Sequence, residues 1–159
     1  MKMRLHYAFL VLFVCILGSC SKESLENTNI NEAKNAPEVE NELLNVVNDH
    51  RLSLGYNTLE FSAVAYEYAN DHNDYMISKG SVNHDNFSAR ASNIAAAVEA
   101  EYVAENVAKD YNSAIQAFNA WLNSSDHKKT MEGDFTHSAV SVKESTSGDY
   151  YFTQLFFKK

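Results

Sequence analysis

The side chains equipped for chemistry in this chain are a few histidines, one glutamate and one serine. His84 stands in the polar stretch Ser81–Arg90, "SVNHDNFSAR", with no apolar run around it. A neutral imidazole there is a zinc ligand or a base near neutral pH; the alternative is a polar loop histidine with no further task. Glu105 lies in the otherwise apolar stretch Val103–Ala108. A carboxylate drawn into such a segment needs a histidine, a metal or a backbone amide as partner, because an unpaired buried charge is costly; otherwise it ends a strand and faces water. His127 follows Ser124 by three residues, and such neighbours share a helix face. They form the one candidate serine–histidine pair, although nucleophilic catalysis also demands oxyanion donors. Alternatively His127 begins a helix capped by Ser125 and Asp126. Arg90 is a partner for Asp85 or Glu105, or a solvated charge. His72 and His50 fall on apolar stripes and read as packed, hydrogen-bonded core histidines, and His137 as a strand-surface residue.

Several reaction classes lack their signatures. There is no His-Glu-x-x-His helix, no Gly-x-Ser-x-Gly elbow and no glycine loop for phosphate in a chain with five glycines. A formal charge of -8 argues against nucleic acid as a partner, since phosphate binding needs a basic face.

These groups need elements to position them. The 159 residues suffice for one domain with a core. Val39, Leu43, Val46, Val47 and Leu54 recur at helical spacing and predict a helix over Glu38–Leu54, stopped by Gly55. A second helix starts near Ser62, carries Ala65, Ala69, His72 and Met76 on one stripe, and ends at Gly80. The segment after His84 becomes a short alanine-rich helix or turn, and "EYVAENVA" is of ambiguous period. Ser113 and Gln116 make a capping-box pair before a third long helix with Phe118, Trp121 and Leu122; "DHKKTM" adds a short turn. "THSAVSVKE", a turn at "STSGD" and "YYFTQLFF" form a C-terminal hairpin. Helices with such a hairpin indicate the α+β class.

The first 19 residues read as an export signal: Lys2 and Arg4, then a short apolar run, then Gly18 and Ser19. "LGSC" at Leu17–Cys20 resembles a bacterial lipobox, which implies cleavage before Cys20, acylation of its thiol and membrane attachment through it. With Cys15 lost in the signal and Cys20 lipidated, the mature domain has no thiol, and its formal charge becomes -10. Ser21 after the cysteine resembles the pattern sorted to the outer membrane in cells with two membranes. Residues 20–37 are expected as lipidated cysteine and polar tether, and 38–159 as the domain.

Five motifs, "NDHRLSLGYNTLEFSAVAYEYANDHNDYM", "NHDNFSAR", "AENVA", "AFNAWLNSSDH" and "YFTQLFF", occur in the order seen in the CAP superfamily of cysteine-rich secretory, antigen 5 and class 1 pathogenesis-related proteins, and the chain most resembles its bacterial SCP-like branch over residues 40–157. The resemblance implies a three-layer α-β-α sandwich with a central antiparallel sheet. It also implies a cleft lined by two histidines and two acids able to hold a divalent metal such as zinc. His84 matches the first histidine and Glu105 the first glutamate. Ser124 stands where the second acid is expected, and Tyr151 where the second histidine is. The bacterial pattern Trp-x-x-Ser-x-x-His is met by Trp121, Ser124 and His127. Tyr151 then offers a hydroxyl to the cleft and Gln154 a supporting amide.

The expectation is a lipid-anchored CAP domain of the bacterial envelope. Its cleft would be formed by His84, Glu105, Ser124, His127, Tyr151 and Gln154, and would bind a small or lipidic ligand, or a divalent metal on His84, Glu105 and His127. Two alternatives stay open: a metal-assisted hydrolase with Glu105 or His84 as general base, and an adhesin-like domain that binds protein through its outer surface.

Overall fold

A computed structural model describes residues 33–159. The expected signal, Cys20 and most of the expected tether lie outside the described residues. Helix α1 spans Pro37–Ser53 with Pro37 in its first turn, where a missing N–H costs nothing. Helix α2 spans Ala63–Lys79; Ser62 caps its start by accepting from the Ala65 N–H, and Gly80 ends it in the left-handed conformation at φ 67°. Helix α3 covers Phe87–Val98, α4 covers Ala114–Leu122 and α5 covers Ser125–Met131. The capping pair forms at α4: Ser113 accepts from the Gln116 N–H, while the Gln116 side chain accepts from the Asn112 N–H.

The strands are β1 (Lys34–Asn35), β2 (Glu60–Phe61), β3 (Tyr102–Lys109), β4 (His137–Glu144) and β5 (Tyr150–Lys158). They form one sheet in the order β1-β4-β5-β3, with β2 adding to β4 in parallel and the other pairs antiparallel. The ambiguous "EYVAENVA" is β3, and it is an edge strand. Lys34 and Asn35, assigned to the tether by composition, pair with Glu144 and Lys143 instead. A two-residue strand carries no periodicity to read.

Strand alternation sends successive side chains to opposite faces. One face, with Ala108, Val140, Val142, Phe152 and Phe156, packs on Leu43 and Val47 of α1, on Ala117 and Trp121 of α4 and on Met131 of α5. The other, with Ala139, Leu155 and Phe157, packs on Ala65 and Ala69 of α2 and Ile94 of α3. The small alanines of α2 let the helix lie close to the sheet. The result is the α+β, three-layer α-β-α sandwich expected, and its free edge at β3 is where the candidate residues gather.

Candidate functional site

The loop after α2 is held tightly for a segment of small polar residues. The Asn83 side chain accepts from the Asp85 N–H, an Asx turn that reverses the chain locally. The carbonyls on both sides of His84 are then gripped by helix side chains. Asn83 O accepts from His72 Nε2 of α2 at 2.8 Å, and Asp85 O accepts from Arg90 Nη1 of α3 at 3.1 Å. Tyr75 donates its hydroxyl to the Asp85 carboxylate at 2.8 Å. His84 is therefore carried out to solvent on a fixed loop, its side chain 52% exposed.

Its anchor is Glu105. This carboxylate is 1% exposed and receives Arg90 Nε on Oε2 at 2.8 Å, Arg90 Nη2 on Oε1 at 2.8 Å and His84 Nδ1 on Oε1 at 2.9 Å. His72 Nε2 stands 3.7 Å from the same Oε1. A carboxylate only accepts, so His84 carries a proton on Nδ1, and in the neutral tautomer the lone pair is on Nε2, the ring nitrogen turned away from Glu105. By the same reasoning the Asn83 carbonyl places the His72 proton on Nε2.

The opposite wall comes from α4 and α5. Trp121 Nε1 donates to Val107 O at 3.1 Å, and Asn106 Nδ2 donates to His127 O at 3.0 Å, so both helices are fastened to the β3 edge. Ser124 Oγ and His127 Nδ1 are 2.8 Å apart, and the ring of His127 stacks on Trp121. Between the walls lies a cavity of about 330 Å³ bounded by Val82, Lys109, Tyr111, Trp121, Ser124 and His127. A second hollow of about 240 Å³ lies between α2 and α3, with His72 and Arg90 in its lining.

The structure pairs His84 with Glu105 and, separately, Ser124 with His127 at the cavity, and the two pairs are near enough for His84 to act electrostatically on His127. Tyr151 is buried, and its hydroxyl reaches the cavity only through Lys109 Nζ, 3.3 Å away. Gln154 is not brought in. It pairs in register with Asn106 and Val140, on the sheet face away from Glu105, and its amide donates to Ser138 Oγ. Asn106 Oδ1 and Gln154 Oε1 are buried there without a partner among the described residues. Three residues gain a place that their sequence context did not assign. Of the two acids weighed for it, Arg90 pairs with the carboxylate of Glu105 and reaches Asp85 only at its backbone carbonyl. His72 is buried and hydrogen-bonded as expected, yet also abuts Glu105. Lys109 was missed, although the two-residue strand period from Glu105 points to it.

These residues do not fit a metal. Both oxygens of Glu105 are held by a guanidinium that keeps its charge at any ordinary pH, and a divalent ion there would meet that charge at contact range. His84 turns its protonated nitrogen to the carboxylate, and no group of three His, Cys, Asp or Glu side chains among the described residues is arranged to hold a metal ion.

Burial lowers the pKa of His72, opposed by Glu105 and reinforced by Arg90 and His84. Burial also lowers that of His127, reinforced by His84 and opposed by Asp126. In the unfolded chain a histidine takes its proton near pH 6.5. Below that pH the unfolded state binds a proton that native His72 refuses, so stability falls with pH until the native pKa is reached. The slope from His72 approaches about 1.4 kcal/mol per pH unit. Urea melts between pH 7.5 and 5 should show this decline, and His72→Gln should flatten it; equal slopes in the two proteins would refute the assignment.

The sequence pattern of the cysteine-rich secretory protein family, CAP, matches residues 44–156. The uncharacterized membrane protein YlbC of Bacillus subtilis is 29% identical over 126 residues, 76% of this chain but 34% of that protein, so the chain spans about a third of that relative's length. Among solved structures, an outer surface protein of Borrelia burgdorferi superposes with a TM-score of 0.72 at 21% identity, covering 80% of this chain and 98% of that one. An SCP-domain extracellular protein of Bacillus anthracis gives 0.67 at 21%, covering 77% of this chain and 41% of that one. A cysteine-rich secretory protein of Staphylococcus aureus gives 0.67 at 18%, covering 77% and 39%. At these identities the likeness is one of fold.

Proposed function

The chain belongs to the cysteine-rich secretory protein (CAP) family, and from that premise we propose that it is a non-enzymatic binding module of the bacterial envelope, anchored through acylated Cys20, whose cleft takes a small or lipidic ligand. The printed names of its structural neighbours, an outer surface protein and an extracellular protein, support the location. No helix among the described residues is long and apolar enough to cross a membrane.

The observation that carries the reading is the cavity at the β3 edge, apolar along Val82 and Trp121 and polar at Lys109, Ser124 and His127, with Val82 of the His84 loop in its wall. A mostly apolar hollow with a few fixed polar groups is the usual form of a ligand site. A serine-nucleophile reading would draw on the Ser124–His127 contact. However, that contact uses Nδ1, the nitrogen that an orienting carboxylate takes in catalytic triads, and no carboxylate bonds to His127 among the described residues.

Trp121 is the only tryptophan of the chain and lines this cavity, so its emission reports occupancy. Titration with short-chain alcohols and monoacylglycerols should change that emission saturably. His84→Ala and His127→Ala should each weaken binding roughly three- to tenfold, the worth of one hydrogen bond. Superimposable titrations of the variants and the parent protein would reject the cleft as the binding site.

A further inference from the structure

We infer that Arg90 is a positioning residue that, through Glu105, holds His84 as a hydrogen-bond acceptor, so that the cleft favours ligands carrying a hydroxyl or N–H donor. The inference rests on the binding-module reading and names its ligand class. A carboxylate in a CAP cleft can be balanced by a divalent metal, which would draw the histidine lone pairs toward itself. Here Arg90 provides the positive charge permanently. Its guanidinium is 8% exposed at the side chain and grips both carboxylate oxygens side-on. The two-point grip fixes the carboxylate plane as well as its charge, which a point charge cannot do. The remaining approach to Oε1 is taken by His84 Nδ1 at 2.9 Å.

The same guanidinium fixes the loop. Arg90 Nη1 holds Asp85 O while His72 holds Asn83 O, so the backbone of His84 cannot swing its ring away from Glu105. Both the tautomer and the direction of His84 therefore follow from one arginine. The exposed Nε2 lone pair accepts from a ligand hydroxyl or amide. A ligand carboxylate would set acceptor against acceptor and lose that contact, whereas an ether of the same shape would leave the lone pair unserved.

Two measurements on the purified protein test this. Imidazole ¹⁵N spectra at pH 7.5 should show His84 protonated on Nδ1, and Arg90→Lys should raise the population protonated on Nε2. In parallel, phenol, anisole and benzoate are titrated against Trp121 emission. Phenol should bind about three- to tenfold tighter than anisole, the range for one hydrogen bond. Arg90→Lys should shrink the phenol preference without abolishing binding. His84 protonated on Nε2, equal binding of the three probes, or an unchanged tautomer and preference in Arg90→Lys would overturn the inference and leave the binding module standing. Failure of all three probes to bind, or binding indifferent to His84→Ala, would overturn the binding reading and the inference with it.

Discussion

Replacing Arg51 with alanine lowers the free energy of unfolding by about 3–5 kcal/mol, since each buried carbonyl left without a donor costs about 1–3 kcal/mol. Arg51 sits in the last turn of α1 and is fully buried. Its Nε donates to Asn57 O at 2.9 Å, Nη1 to Met131 O at 2.6 Å and to Gly133 O at 2.9 Å, and Nη2 to Phe135 O at 3.3 Å. One side chain thus joins the end of α1, the turn after it, the end of α5 and the entry to β4. Burial lowers its pKa, with Asp134 and Tyr56 opposing, so its charge is retained at neutral pH by the margin intrinsic to guanidinium. Alanine withdraws a donor from four carbonyls; Gly133 O keeps the Phe135 N–H and Phe135 O keeps the Asn57 amide, while Asn57 O and Met131 O must find other donors. Lysine restores a charge but not the fork, so Arg51→Lys should recover less than half of the loss. Urea-melt midpoints measure both. A loss below about 1 kcal/mol for Arg51→Ala, the scale of one ordinary hydrogen bond, would show that the network is dispensable.

Glu105→Leu and Arg90→Leu should each cost about 3–5 kcal/mol, because each leaves its partner buried and uncompensated. The double variant should cost less than either single one, since two leucines leave no charge to solvate. The coupling in this double-mutant cycle is therefore expected to reach at least about 3 kcal/mol, the top of the range for residues sharing one network. The 1% exposure of Glu105 and the 8% exposure of Arg90 are what make the cost large; the same pair on the surface would contribute about 1 kcal/mol or less. Additive losses in the cycle would mean that the two groups are solvated separately and that the bidentate contact has no energetic weight. The His84 loop reports on the same event, since Arg90→Leu also releases the Asp85 carbonyl.

Much of the scaffold was legible because its signals are local. Ser62 and Gly80 bracket α2, Ser113 opens α4, and the alternation through "THSAVSVKE" and "YYFTQLFF" gives β4 and β5. Each depends on residues within a turn or a pleat of one another. β1 and β2 were not legible, since two residues hold no period and their pairing is decided by β4. His84 and Glu105 were found together only through the order of motifs along the chain. Nothing between them states that Arg90, read as a surface charge or a partner for either carboxylate, would grip both oxygens of Glu105.

Which side of the sheet each residue serves divides the two kinds of knowledge most sharply. Once both segments are known to be strands, sequence determines that Glu105, Val107 and Lys109 share one face, and that Tyr151, Thr153 and Leu155 share one face, because side chains alternate with a period of two. Only the pairing of β3 with β5 decides that Glu105 stands opposite Leu155 while Asn106 stands opposite Gln154. That register sends Gln154 into the core beneath α1 and α4, and turns Tyr151 and Lys109 toward the Glu105 side. Likewise the sequence supplies His72, His84, Arg90 and Glu105 as separate groups on a helix, a loop, a helix and a strand. Packing α2 and α3 on one sheet face then closes them onto a single carboxylate, since the desolvated charge of Glu105 is stable only where those donors meet.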